Sequence, residues 1–281
     1  MPLFSRPDGV PVKRPSTLRR FMPYLMPGRN EAVVYLDQTI VVDKTLAWLA
    51  NQADRERPVV LFDVVLAALS QVLSERPHLN RFISGRRLYQ RTDIALSFAV
   101  KKRFVDAGKL TTVKVRLQPG ADLPTVSQAV RGAVNEGKGD ADTVSEKEMT
   151  VVAALPGFLL RFVMWAQRVL DGWNLLPSAM IENDPLYASM FIANLGSIGL
   201  DAPFHHLFEY GSVPVFVTVR RIKKAPVVEQ GLDGEDRVVV GQVMELRYSY
   251  DERIADGFYC ASAVERVAEL IADPGLLRGA S

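Results

Sequence analysis

Strand-like and helix-like stretches follow one another in this chain without a regular βαβ alternation. That order favours a single α+β domain built on a mixed sheet with flanking helices. Glu31 to Val42 is β-rich and partly alternating, which reads as a strand, and Asp43 stands at the cap position of a helix over KTLAWLANQ. Pro58 opens a long apolar helix, VVLFDVVLAALSQVLSER, that Pro77 closes. Phe82 to Val100 reads as a hairpin turning at Gly85 and leading into a buried strand. Thr111 to Leu117 reads as another strand, and Leu123 to Val134 as a helix. Asn135 to Thr143 is a polar loop, after which Ser145 and Glu148 have capping-box spacing. From Leu186 the pattern is β-rich again, through VPVFVTVRRIKK and RVVVGQVMELRYSY. A last helix, Phe258 to Ile271, follows an aspartate–glycine turn and ends at Asp273-Pro274. No linker is visible, so one domain is expected over 31–281.

Residues 1–30 form a proline-rich arm with Arg6, Lys13, Arg14, Arg19, Arg20 and Arg29 against Asp8. It reads as a solvated arm packing over the domain or a neighbour, and it has no secretory signal's apolar core. Over the whole chain 34 Lys and Arg meet 32 Asp and Glu, and a net charge of +2 argues against nucleic acid as a partner. Cys260, the single cysteine, can form neither an internal disulfide nor a multi-thiolate metal site, which points to the cytoplasm. The most apolar segment, Val151 to Pro177, is interrupted by Pro156, Arg161, Gln167 and Arg168, whereas a membrane span needs about 20 mostly apolar residues. Arg161 and Arg168 share one narrow polar stripe on an otherwise apolar helix. The expectation for this 158–170 helix is burial against the domain or a second subunit. Membrane-interface contact and an acyl-chain tunnel are the alternatives.

Three segments carry a family resemblance. LRYSYDERIADGFYCASAVERVAELIADP (246–274) resembles the C-terminal signature of the 2-oxoacid dehydrogenase acyltransferase catalytic domain, a strand, D-H-R-x-x-D-G and a helix. Asp251, Arg253, Asp256 and Gly257 match it. FIANLGSIG (191–199) is similar to the family's F-T-I-S-N-L-G-x-x-G. LSERPHLNRFISGRRLYQRTDIALSFAV (73–100) is similar to its helix ending in P-x-L-N, with the following hairpin and strand. The resemblance implies the CoA-dependent acyltransferase fold that chloramphenicol acetyltransferase shares. It also implies coenzyme A or an acyl-CoA as substrate, no metal, and a homotrimer whose active sites are shared between subunits. DKT at 43–45 is too short for a lipoyl-lysine hairpin, so only a catalytic core, with no lipoyl domain, is expected.

Two positions depart from the pattern. The family's histidine, which takes the proton from the acceptor, falls on Glu252, and its oxyanion-steadying hydroxyl falls on Ala193. Asp256 matches the family's aspartate or asparagine, and Arg29 sits where chloramphenicol acetyltransferase places an arginine paired to it. The resemblance therefore implies a buried Arg29–Asp256 brace. A glutamate near pKa 4.3 is a weaker base than a histidine near 6.5 by about two units. Loss of a positioned base costs about 10²–10⁴ in rate, and loss of an oxyanion donor about 10²–10³. Two readings remain. Either Glu252 acts as base or acid on a different acceptor, with Asn194 or a backbone N–H replacing the hydroxyl, or the fold serves binding or assembly and Glu252 pairs with an arginine. His205 and His206 are further candidates for a base or a hydrogen-bonding role near the pocket, while His78 reads as a surface residue.

Overall fold

A computed structural model describes residues 6–52, 58–101, 110–139, 150, 152–201, 203–231 and 233–280. In chain order the strands are β1 (Val10–Pro11), β2 (Val33–Val41), β3 (Arg81–Ser84), β4 (Arg87–Gln90), β5 (Ile94–Lys101), β6 (Leu110–Leu117), β7 (Met190–Asn194), β8 (Val215–Val219), β9 (Lys223–Gln230) and β10 (Asp236–Asp251). The main helices are α1 (Thr17–Leu25), α2 (Asp43–Asn51), α3 (Leu61–Glu75), α4 (Leu123–Lys138), α5 (Gly157–Gly172), α6 (Ser178–Asn183) and α7 (Gly257–Ala272).

The large sheet runs β2-β10-β8-β7-β5-β6, with β9 beside the outer half of β10, and a small sheet runs β1-β4-β3. β7 is parallel to both β5 and β8 while the other pairs are antiparallel, so the sheet is mixed, as the irregular element order implies. Side chains alternate across a strand. Met190, Ile192, Val215 and Val217 therefore join the main core beneath α3, α4 and α7. Phe191 and Phe216 instead point to the opposite face, where Leu207 and Val213 of the incoming segment cover them. α3 is apolar all round and is accordingly buried from Asp63 to Leu73. Asp63 accepts from the Val60 N–H at 3.1 Å and from the Ser127 hydroxyl at 2.9 Å, which satisfies the helix start and ties α3 to α4.

Several expectations need correction. Asp43 is the first helical residue rather than the cap, and its carboxylate accepts from the Gln242 N–H at 2.8 Å, fastening α2 to β10. α4 continues to Lys138, past the expected stop at Val134. Gly137 permits this, because a Cβ there would lie 2.8 Å from a Val113 methyl on β6. The remainder of the polar loop and the Ser145–Glu148 capping box lie outside the described residues. KKAPVVEQ is a strand of its own, β9, rather than the tail of β8. The 158–170 helix is not buried within the chain. Along α5 only Gln167 is buried, while Phe158 is 73% and Phe162 and Trp165 are 60% exposed; Trp165 borders a cleft, and Phe158 and Phe162 lie outside it. No helix among the described residues is long and apolar enough to cross a membrane.

The N-terminal segment is fastened by buried charge. Arg6 donates to Asp8 at 2.9 Å, to Asp171 at 2.8 Å and to Ser84 at 2.9 Å, and Arg91 reaches Asp8 at 3.3 Å. Burial pushes the Asp8 carboxyl up, but Arg91 and Arg6 outweigh it and hold it below the ordinary value. A carboxyl depressed in the folded state stabilises fully above its unfolded pKa of about 3.9 and loses that contribution as pH falls through the folded value. Urea denaturation between pH 7 and pH 2.5 should show an acid limb in the wild type that is shallower in Asp8→Asn. Asp8→Asn should also be less stable at pH 7.

Candidate functional site

The turn after β10 is folded around one buried ion pair. Asp251 accepts from Arg253 through its backbone N–H at 3.1 Å, Nε at 2.8 Å and Nη2 at 2.7 Å. Arg253 also donates from Nη1 to the carbonyls of Met26 at 2.7 Å and Pro27 at 3.2 Å. The bidentate geometry fixes the residue between them. Glu252 donates its N–H to the Ala32 carbonyl at 2.9 Å, and its own carbonyl accepts from Arg19 of α1. Its side chain is half-buried and has no hydrogen-bond or ion-pair partner among the described residues, so the pairing with an arginine is not made.

Asp256 is exposed and caps α7, accepting from the Tyr259 N–H at 2.8 Å. The expected Arg29–Asp256 brace is therefore not formed. Arg29 is buried and directs its guanidinium to the carbonyls of Phe208 at 2.7 Å and Gly211 at 2.5 Å, while its backbone N–H donates to Glu209 at 3.1 Å. Burial lowers its pKa, and Asp251 is the strongest opposing charge. Asp251, not Asp256, is the carboxylate that turns inward, because the helix start holds Asp256 at the surface.

Behind Glu252 stand Tyr250 and Cys260. Burial pushes the Cys260 thiol up to about 11, so it remains protonated and is no nucleophile at neutral pH. The cavity reaching these two residues measures only about 30 Å³ and is otherwise apolar, lined by residues such as Leu69 and Val267. The residue that sequence reasoning set aside is His78. It is exposed, yet its ring stacks on Tyr259 at 4.8 Å, and burial followed by Arg81 and Arg19 lowers its pKa. It thus brings a neutral imidazole beside the Asp256 turn, and its only sequence signal was its place in the P-x-L-N match.

Ala193 and Asn194 close β7. Ala193 packs against the Phe191, Phe216 and Leu207 cluster. Asn194 is engaged in its own turn, its Oδ1 accepting from the Ser197 N–H at 3.2 Å while the Ser197 hydroxyl donates to its carbonyl at 2.8 Å. His205 lies flat on Phe216, centroids 3.9 Å apart, with Nδ1 2.7 Å from the His206 carbonyl. Burial lowers its pKa, and Nδ1 is the donor, which leaves Nε2 as the acceptor. His206 is exposed and stacks on His205 at 4.5 Å. Among the described residues no cluster of three His, Cys, Asp or Glu could hold a metal ion.

A single chain does not bring these two groups together. Ala193 is level with Thr218, and Thr218 with Arg247. Glu252 lies five residues further along the β10 direction, roughly 17 Å at about 3.3 Å per residue, and two strands across. The two replaced positions sit toward opposite ends of the sheet.

The family model for the 2-oxoacid dehydrogenases acyltransferase catalytic domain matches residues 182–278, a segment that contains Ala193, Asn194 and the whole Asp251–Asp256 turn. No curated protein matches the chain. Among solved structures, a probable dihydrolipoamide acetyltransferase from Listeria monocytogenes is 12% identical, with 92% of this chain and 94% of that one covered at a TM-score of 0.60. Dihydrolipoamide acetyltransferase from Azotobacter vinelandii, studied for the role of a serine, a histidine and an asparagine in its catalytic mechanism, is 19% identical, with 92% and 86% covered at 0.57. Chloramphenicol acetyltransferase is 12% identical, with 93% and 98% covered at 0.52. The fold is the CoA-dependent acyltransferase fold, and the C-terminal third carries the sequence pattern of the 2-oxoacid dehydrogenase acyltransferase core.

Proposed function

We propose that this chain is an acyltransferase-type core that binds an acyl thioester and assembles as a trimer without carrying out the family's transfer reaction. The observation that carries this reading is the state of the Glu252 turn. Asp256, which by resemblance should brace the base, is committed to capping α7, and Arg29 is committed to backbone carbonyls. Where the family places an imidazole stands Glu252, and neither Asp256 nor Arg29 is placed to orient its carboxylate as a base. At Ala193 no hydroxyl is present to meet an oxyanion, and the side-chain donor that remains beside it is the Nδ2 of Asn194, whose Oδ1 is held by the Ser197 N–H. The separation of Ala193 from Glu252 fits assembly from several copies, in which one chain's β7 end meets another's β10 turn. The exposed apolar face of α5 offers surface for such contact.

A second reading is favoured by one observation. The Glu252 carboxylate has no partner among the described residues, so it is free to take a proton from an acceptor held across a subunit boundary. Thiol release from acetyl-CoA and octanoyl-CoA, with and without dihydrolipoamide, separates the two readings. The expected result is binding of the thioester by calorimetry with thiol release at the uncatalysed rate, unchanged in Glu252→Gln. Turnover in the wild type that drops at least tenfold in Glu252→Gln would establish the second reading. Absence of thioester binding would remove both.

A further inference from the structure

A cleft of about 680 Å³ lies beside the same turn, and Arg253 lines it whereas Glu252 does not. Helix α5 forms one wall with Leu160, Arg161, Met164, Trp165 and Arg168. Pro23 and Pro27 of the N-terminal segment and the tip of the β3–β4 hairpin form the other. Arg29, Gln167, Tyr187 and Tyr210 add buried and half-buried polar lining. The polar stripe of α5 therefore borders the cleft, interleaved with apolar side chains, while Arg161 and Arg168 keep their access to solvent.

The charge in the cleft is unbalanced. Its cations are Arg29, Arg86, Arg161, Arg168 and Arg253, and its acids are Asp171 and Glu209. Both acids are already satisfied from within. Asp171 pairs with Arg6 at 2.8 Å, and Glu209 accepts from the N–H groups of Arg29 at 3.1 Å and Asn30 at 3.0 Å. Arg253 is committed to Asp251, and Arg86 lies over the Tyr24 ring at 5.3 Å. Arg86, Arg161 and Arg168 have no acidic partner among the described residues. Arg29, only 6% exposed, keeps its Nε without any partner. No lysine lines the cleft, and a set made of arginines suits the planar or trigonal oxygens of a carboxylate or phosphate.

We propose that this cleft binds a small amphipathic anion. Its carboxylate or phosphate head sits between Arg161 and Arg168, and its apolar body lies on Leu160, Met164 and Trp165. The volume is that of a site for a single organic ligand. Apolar contact supplies affinity for the body, and the arginines select for the charge. The site is independent of the acyl-thioester reading, because Glu252 takes no part in it.

Binding of dodecyl phosphate and dodecanoate, both below their micelle concentrations, should be measured by calorimetry and by Trp fluorescence. Dodecanol and inorganic phosphate serve as the single-feature probes. Both amphipathic anions should bind once per chain, and each single-feature probe at least about tenfold more weakly. Arg161→Gln/Arg168→Gln should weaken the anions by about tenfold or more, two charge-assisted contacts being lost. Both arginines are exposed, so the double variant should melt like the wild type. Arg237→Gln on the distant β9–β10 hairpin should change nothing. Met164→Gln should weaken dodecyl phosphate while leaving inorganic phosphate unaffected. Equal binding of dodecanol, or equal loss in Arg237→Gln, would overturn the proposal. So would a response confined to co-sedimentation with phosphatidylglycerol vesicles, which would assign the arginines to a bilayer surface. If the double variant also loses acetyl-CoA, the cleft is the thioester site itself and the separate site is refuted. If acetyl-CoA binding fails in the wild type while dodecyl phosphate binds, only the reading under Proposed function falls.

Discussion

Replacing Arg253 with methionine should destabilise the fold by about 3–5 kcal/mol, the cost of breaking a buried ion pair from one side. The side chains of Arg253 and Asp251 are 2% and 0% exposed, so neither charge has water to fall back on. With the guanidinium gone, the Asp251 carboxylate stays buried without its counter-charge, and the carbonyls of Met26 and Pro27 lose their donor. Lysine should rescue poorly, since one ammonium cannot reproduce a bidentate fork that also reaches two carbonyls. Adding Asp251→Asn to Arg253→Met should recover only part of the loss, because the carboxylate that lost its fork is then neutral while buried Arg29 loses its strongest opposing charge. Urea unfolding at pH 7 of the wild type, the two single variants and the double closes the cycle. A single-variant cost below about 1 kcal/mol would mean that the pair is not buried as described. The same substitution should loosen the Glu252 turn and the adjoining wall of the cleft together, for Arg253 belongs to both.

The architecture was legible where the sequence pattern was strong and local. The apolar run of α3 between Pro58 and Pro77 buries as a helix hydrophobic on all sides must. Asp256 followed by Gly257 marks the start of α7 because a short carboxylate caps a helix there. What escaped reading was decided by tertiary placement. Asp251 and Asp256 lie on one short turn, and nothing in their spacing says that the first turns inward toward Arg29 and Arg253 while the second caps a helix. β9 was hidden because its two valines, Val227 and Val228, are adjacent and stand among Lys, Pro226 and Glu, so no alternating apolar face marks the strand. The stripe of Arg161 and Arg168 was visible as a stripe, but its direction depends on the position of the β3–β4 hairpin, far earlier in the chain. The distance between Ala193 and Glu252 follows from which strands pair and in what order, and neither segment's sequence names its partner strand.

Gly85→Val should be the most damaging single change to the cleft, at about 3 kcal/mol or more, and the reason is geometric. Gly85 has φ +53° and Arg86 φ +60°, the paired positive values of a two-residue hairpin turn joining Ser84 to Arg87. That conformation is hard on any β-branched residue. The surroundings are worse, since a Cβ at Gly85 would lie 2.1 Å from the carbonyl oxygen of Gly172, a backbone atom at the end of α5 that cannot rotate away. α5 is pinned at this end, with Asp171 held by Arg6 and by the Ser84 hydroxyl at 2.9 Å and Asn174 donating to the Tyr89 hydroxyl at 2.9 Å. The clash must therefore break those bonds or open the hairpin. Either outcome displaces Arg161 and Arg168 relative to the opposite wall, so dodecyl phosphate affinity should fall along with stability. Gly132 provides the contrast within the same protein. It lies in α4, and a methyl there would meet nothing within 4 Å, so Gly132→Ala should gain about 0.5–1 kcal/mol from helix propensity alone. If Gly85→Val instead unfolds at the same urea concentration as the wild type, α5 does not rest on the hairpin, and the cleft between them has no fixed width with which to select a ligand.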